Sequence, residues 1–190
     1  MKMRGEKRER ILRILLAEKR PLSKYRLAKL AGCSFPWVHE FLQLLEQKKL
    51  ASGIKVANKK KLFDYWLSIH HQPKYREYMV QRPLEFLNST KLDYALTTYQ
   101  GDNLIQHFLF PSRTDVYIRK NDLQKWHMVL LKKGLYGKGN FRILLEDEQV
   151  FYKRRKINGF TVVCLPQLIL DLKQEGGVCG EAAERLLESL

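Results

Sequence analysis

"AGCSFPWVHEFLQLLEQ", Ala31 to Gln47, decides the fold. Gly32 supplies a tight turn, and Ser34 stands where a helix N-cap belongs. Pro36 fits the first turn, because the N–H it lacks would have had no intrahelical partner. Val38, Leu42 and Leu45 follow at steps of four and three, one helix face turned to a core. The stretch reads as the turn and second helix of a helix-turn-helix, the element that enters a DNA groove. It holds no Lys or Arg, in a chain of formal net charge +15. Positive charge must then lie beside the reading helix rather than on it.

Upstream, Glu6 to Lys19 is helical in pattern, with Ile11, Leu12, Leu15 and Leu16 as its apolar stripe and Ile14 at the side. Pro21 is its stop signal. Ser23 can cap a short second helix, Lys24–Ala31, facing inward with Leu27, Leu30 and Ala31. Downstream, Leu50 to Val56 reads as two very short strands joined at Ser52-Gly53, a small wing. Three helices and a wing make a winged helix-turn-helix. Asn58 can cap a fourth helix through Leu62, Tyr65, Trp66 and Ile69. Its first turn is Lys59-Lys60-Lys61, each opposing the helix macrodipole by roughly a few tenths of a kcal/mol. A helix start also attracts anions, so three lysines there fit a nearby phosphate. The competing reading is a solvent-screened lysine cluster.

The bulk composition agrees with a folded binder of polyanions. Apolar residues make up 45% of 190, enough for a packed core and against wholesale disorder. The pI is about 9.8, which attracts DNA, RNA or an acidic membrane surface. Residues 1–74 hold 18 Lys and Arg against 6 Asp and Glu, whereas residues 75–190 hold 17 against 14. The charge belongs mainly to the N-terminal module. Three cysteines, Cys33, Cys164 and Cys179, form no CxxC pair. They suggest neither a disulfide framework nor a zinc site, and fit a reducing, cytoplasmic setting. The apolar run Ile11–Ala17 is broken by Arg13 and followed by Glu18-Lys19-Arg20, so it reads as neither signal peptide nor membrane span. A basic helix lying on a membrane stays open, although the core proposed above needs that helix.

Residues 70–82 read as a connector, which puts the boundary near Lys74: a winged helix-turn-helix over 1–74 and a second domain over 75–190. The second part alternates. Helices are expected at Pro83–Asn88, Asp102–Phe108, Asp122–Lys133 (stopping at Gly134), Gln167–Lys173 and Glu181–Ser189. Strands are expected at Asp93–Thr97, Thr114–Ile118 and Phe141–Leu145. Lys153–Ile157 and Phe160–Cys164 flank Asn158-Gly159, a strong type I′ hairpin signal. The fold class is α+β, a winged head followed by a mixed-sheet α/β domain.

Phosphate contacts position a protein on DNA and base contacts specify the sequence, so the two jobs can sit on different elements. Lys24 and Arg26 open the second helix. Lys48, Lys49 and Lys55 lie around the wing, and Lys59, Lys60 and Lys61 follow it. These are the phosphate candidates. The outward face of the reading helix is Ser34, Pro36, Trp37, His39, Glu40 and Gln43. Gln can pair with adenine, Glu can accept from cytosine, and apolar groups can meet a thymine methyl. Trp37 with Phe35 could instead form a protein interface or stack on RNA bases. His39, His70, His71, His107 and His127 show no metal spacing. Tyr152–Lys156, "YKRRK", is either a second nucleic-acid contact or a solvated strand edge.

Six pieces carry a family resemblance: "LAKLAGCSFPWVHEFLQLLEQ", "GIKVANKKKLFDYW", "DYALTTYQGDNLI", "FPSRTDVYI", "KINGFTVVCLPQLILDL" and "GEAAERLLESL". In this order the chain resembles, over nearly its whole length, the AbiEi-type antitoxin family of transcriptional regulators from type IV toxin–antitoxin systems. The resemblance implies a second domain with a nucleotidyltransferase-like fold and repression of the chain's own operon. It implies double-stranded DNA as partner, possible self-association as a dimer, and a genetically linked nucleotidyltransferase-like toxin without a stable complex. No membrane partner and no cofactor are implied. Active members of that fold need a Gly-Ser turn and two or three carboxylates for Mg²⁺. Here "YALTT" leads into Tyr99-Gln100-Gly101, and "TDVYI" offers Asp115 but has Tyr117 where a second carboxylate would stand. Glu146 and Asp147 are not tied to Asp115 by anything in the sequence. The expectation is a degenerate, non-catalytic domain with Asp115 in a structural role. The alternatives are a nucleotidyltransferase with a nucleic-acid-binding head, or an RNA-binding module.

Overall fold

The computed structural model describes residues 2–20 and 22–190, with side chains from residue 5 onward. The chain divides into two compact units, Met1–His71 and Gln72–Leu190. Among the described residues no helix is long and apolar enough to cross a membrane.

The first unit contains α1 (Lys2–Ala17), α2 (Lys24–Ala31), α3 (Phe35–Gln47), β1 (Ala51–Ser52), β2 (Lys55–Val56) and α4 (Lys59–Ile69). The expected stop at Pro21 lies outside the described residues. The 3.6-residue spacing does what it should: Ile11, Leu12, Ile14, Leu27, Ala31, Val38, Leu42, Leu45, Leu62 and Trp66 are all buried. Leu30 is only half-buried, and Ala28 takes its place inside. Ser23 Oγ accepts from Arg26 N–H and Asn58 Oδ1 from Lys61 N–H, both true caps. Ser34 holds N-cap backbone angles but makes no side-chain cap bond. Gly32 closes α2 in the left-handed region at φ +60°. The two-stranded hairpin turns at Gly53-Ile54, one residue later than the spacing implied, with Ala51 opposite Val56 and Ser52 opposite Lys55. Gly53 sits at φ +58°, a value only glycine adopts cheaply, so the glycine belongs inside the turn. The Glu46 carboxylate accepts its N–H and ties the hairpin to the end of α3.

One charged cluster is buried among these helices. Arg13 is 1% exposed and lies over the Trp66 ring at 5.4 Å. Glu9 Oε2 accepts from Trp66 Nε1 at 3.0 Å and pairs with His70 Nδ1 at 2.6 Å. His70 is thus a structural partner of Glu9.

The second unit contains β3 (Lys74–Val80), α5 (Pro83–Ser89), β4 (Ala95–Thr97), α6 (Thr98–Gln106), β5 (Thr114–Ile118), α7 (Leu123–Leu131), β6 (Gly134–Tyr136), β7 (Phe141–Leu145), β8 (Arg155–Ile157), β9 (Phe160–Val162), α8 (Leu165–Glu175) and α9 (Val178–Glu188). Its seven strands lie in the order β6-β3-β7-β5-β4-β9-β8. β7 with β5 and β4 with β9 run parallel, and the other pairs antiparallel. The sheet is mixed, and the chain is α+β. One face is covered by Phe86 and Leu87 of α5 and by Trp126 and Leu130 of α7, which join Tyr78, Leu96, Val116, Phe141 and Val162 in one core. The Trp126 ring meets Phe86, Tyr94 and Phe141 at 5.9, 6.3 and 6.4 Å. The opposite face of β4 and β5 turns Thr97, Asp115 and Tyr117 toward α6 and α8.

Three expectations fail here. The connector over 70–82 is in part a strand, since β3 pairs with both β6 and β7. Its period-2 pattern is present, Tyr78 and Val80 inward and Met79 outward, but Arg76 and Glu77 disguise it. Gly134 does not stop α7. It opens β6, so close to β3 that a Cβ would come within 1.9 Å of the Met79 carbonyl oxygen. Finally, α6 starts at Thr98 directly off β4, four residues before the expected Asp102. The Asn158-Gly159 hairpin is as expected, with φ of +49° and +86°.

Candidate functional site

Of the outward residues on α3, Ser34, Pro36, Glu40 and Gln43 are exposed. Trp37 is less exposed than its neighbours on this face. It is half-buried, stacked on Phe41 at 5.7 Å, with the Lys7 ammonium 6.0 Å above its ring. Trp37, Glu40, Phe41, Gln43, Leu44 and Gln47 line an open groove of about 450 Å³ together with Arg8 of α1. Arg8 lies 5.8 Å from the Phe41 ring. The sequence reading missed this. Lys7 and Arg8, two helices earlier in the chain, set positive charge against a reading helix that has none. Their position on α1 relative to the stripe Ile11, Leu12 and Leu15 was the available signal.

His39 is also half-buried, 3.2 Å from Lys24 Nζ through its Nδ1. An ammonium has donors only, so Nδ1 must accept and the ring proton sits on Nε2. Lys24 thus touches the reading helix and keeps two further N–H donors for a phosphate. Lys48 is exposed and lies 5.7 Å from the Tyr65 ring. Arg26, Lys49, Lys55, Lys59, Lys60 and Lys61 are exposed. Lys59 to Lys61 form the first turn of α4, next in sequence to the hairpin.

The second unit holds a different polar centre. Asp115 is 1% exposed. Its carboxylate takes Arg113 Nε at 2.6 Å and Nη2 at 2.9 Å, and Thr98 Oγ1 at 2.5 Å. Arg113 reaches on to Glu175 at 3.0 Å, and Arg142 bonds Glu77 at 3.0 Å while lying 3.7 Å from Glu175 and 3.9 Å from Asp115. Three carboxylates thus surround two guanidiniums. Burial works to lower the Arg113 pKa, but the hydrogen bonds and charges of Asp115 and Glu175 outweigh it and push it up. Thr98 sits at φ +46°, unusual for a β-branched residue. Tyr117 donates to Asp171 Oδ1 at 2.9 Å, and Thr97 and Gln167 donate to the same carboxylate. Asp147 accepts from Gln149 N–H in a short turn and donates its own N–H to Glu146 Oε1. Among the described residues no three His, Cys, Asp or Glu side chains converge on a metal position. In "YKRRK", Arg154 pairs with Asp93 at 2.5 Å, while Arg155 and Lys156 are exposed on β8. His127 bonds the Tyr78 hydroxyl at 2.8 Å.

Beside Asp115, burial first, then Cys179 and Glu175, push the Tyr99 hydroxyl from its usual 10.0 up to about 12, against Arg113. A folded pKa above the unfolded one gives stability that is complete below 10.0 and is lost as pH rises toward 12. Tyr99→Phe will therefore flatten the alkaline limb of the second unit's unfolding curve, read by urea titration at stepped pH. An unchanged limb would remove Tyr99 from the account.

Comparison with family models, with characterised proteins and with solved structures returned no match to this chain.

Proposed function

We propose that the chain is a DNA-binding transcriptional regulator, an AbiEi-like antitoxin and autorepressor acting on duplex DNA in the cytoplasm. The first unit is read as a winged helix-turn-helix, with β1 and β2 as the wing. One observation carries the reading. The exposed stretch of α3 is free of cations, while cations stand against it from α1 and from the start of α2, and exposed lysines follow it in sequence in the hairpin and in the first turn of α4. That division is what backbone gripping and base reading require. Lys24, Arg26, Lys48, Lys49, Lys55 and Lys59 to Lys61 hold phosphates. Gln43 and Glu40 read base edges, and Lys24 orients His39 so that Nε2–H is a donor for a purine acceptor. The second unit is read as a degenerate nucleotidyltransferase-like domain without catalysis, whose Asp115 is engaged by Arg113 and Thr98 rather than held open for Mg²⁺. No cofactor is needed.

The test is footprinting on the duplex upstream of the chain's own coding sequence. A protected repeat is expected there in the presence of excess unrelated DNA. His39→Ala removes one hydrogen bond and should cost about 0.5–1.5 kcal/mol at one base pair and leave the others alone. Protection that spreads without preference over both DNAs would defeat the regulator reading.

A further inference from the structure

We propose that the outer edge of β6 is a docking site for an extended, acidic segment of a partner protein, taken up as an additional strand. β6 closes one end of the sheet and has β3 as its sole neighbour. Gly137 N–H donates to the Glu77 carbonyl at 3.0 Å, and Leu135 stands opposite Met79. By the alternation of an antiparallel ladder, the N–H and C=O of Tyr136 point away from β3, into the open edge.

The side chains around this edge are apolar and uncovered. Leu135 is 74% exposed, Tyr136 60% and Met79 50%. The opposite end of the sheet shows how this protein blunts an edge that is not used. There, β8 presents Arg155 and Lys156, the ordinary charged protection. At β6 the lysines flank apolar side chains instead of replacing them.

Charge selects the occupant. From Met128 to Asn140 the chain carries Lys132, Lys133 and Lys138 and no Asp or Glu, whereas Lys125 is paired with Asp122 at 3.1 Å. A second copy pairing β6 with β6 about a two-fold axis would set Lys132 and Lys133 of one copy beside Lys138 of the other, which is repulsive. A nucleic-acid backbone would gain from the lysines but nothing from Leu135 and Met79. An extended peptide with carboxylates alternating with apolar residues satisfies all three features: ladder bonds, apolar contact and lysine charge.

The probe is a fluorescein-labelled eight-residue peptide alternating Glu and Val, followed by anisotropy on the full chain. Saturable binding is expected. It should weaken by at least about tenfold when alternate peptide amides are N-methylated, and by a similar factor in Lys132→Glu/Lys133→Glu/Lys138→Glu. Leu135→Gln, an exposed site that leaves the core intact, should weaken it by about fivefold. Three results overturn the proposal. One is the absence of saturable binding. Another is N-methylated peptide binding as well as the parent, which reduces the effect to ion exchange. The last is a single-stranded oligonucleotide that displaces the peptide, loses affinity in the triple lysine variant and ignores Leu135→Gln, which assigns the surface to nucleic acid.

Discussion

A chain carrying Lys59→Gln, Lys60→Gln and Lys61→Gln will bind every duplex more weakly, and its binding will depend less on salt. Each phosphate contact removed lowers the slope of log affinity against log salt by about 0.9, so three lower it by about 2.7. Carried from 1 M salt, where the ionic part vanishes, down to 0.1 M, that slope corresponds to a loss of roughly 500-fold. The variant should stay folded. The three side chains are exposed, and the α4 cap runs from Asn58 Oδ1 to the Lys61 backbone N–H, which substitution does not touch. Removing cations from a helix start even relieves about a few tenths of a kcal/mol each. Loss of affinity with an unchanged melting temperature is the expected pair of readings. The contrast is Gln43→Ala, which should alter the preferred sequence and keep the slope. A triple variant with the parent slope would show that phosphates are held elsewhere.

The second large effect concerns stability. Asp115→Ala should destabilise the second unit by about 3 kcal/mol in urea unfolding, with little change in the denaturant slope. The substitution strands the Arg113 guanidinium, which loses bonds of 2.6 and 2.9 Å and keeps Glu175 alone. It also leaves the Thr98 hydroxyl without its acceptor, at a residue already held at φ +46°. Asp115→Asn keeps an acceptor for Thr98 and should cost roughly half as much. The same variants separate the structural reading from the enzymatic one. Magnesium- or manganese-dependent transfer from a labelled nucleoside triphosphate by the parent chain, abolished in folded Asp115→Asn, would restore the nucleotidyltransferase reading. A stability loss of under about 0.5 kcal/mol in Asp115→Ala would refute the structural one.

Much of the first unit was legible in advance because its signals are local. Ser23 and Asn58 each cap through a neighbour three residues on, and the apolar stripes follow a fixed period. Thr114–Ile118 and Phe141–Leu145 were legible for the same reason, as short apolar runs between turn residues. β3 was not. Its charged residues Arg76 and Glu77 look like linker until Arg142 arrives from another strand to pair with Glu77. β6 was hidden too, because Gly134 is a helix stop by local rules and a strand start only where β3 runs close beneath it. Among the candidate site residues, Trp37 is half-buried where helical spacing pointed to full exposure, because Phe41 stacks on it and Lys7 of α1 lies over its ring.

The sequence by itself determined the charge, the order of elements in the first unit and the cation-free character of α3. Each of these depends on identity and on spacing within about one helical turn. Only the tertiary structure decided which long side chains meet: Lys7 and Arg8 with α3, Lys24 with His39, and Arg113 and Arg142 with Asp115, Glu77 and Glu175. The reason is that charged side chains are interchangeable in local propensity. Whether one becomes a phosphate grip, an internal partner or a solvated tip is set by what the rest of the chain brings within about 4 Å, the range over which such groups interact strongly.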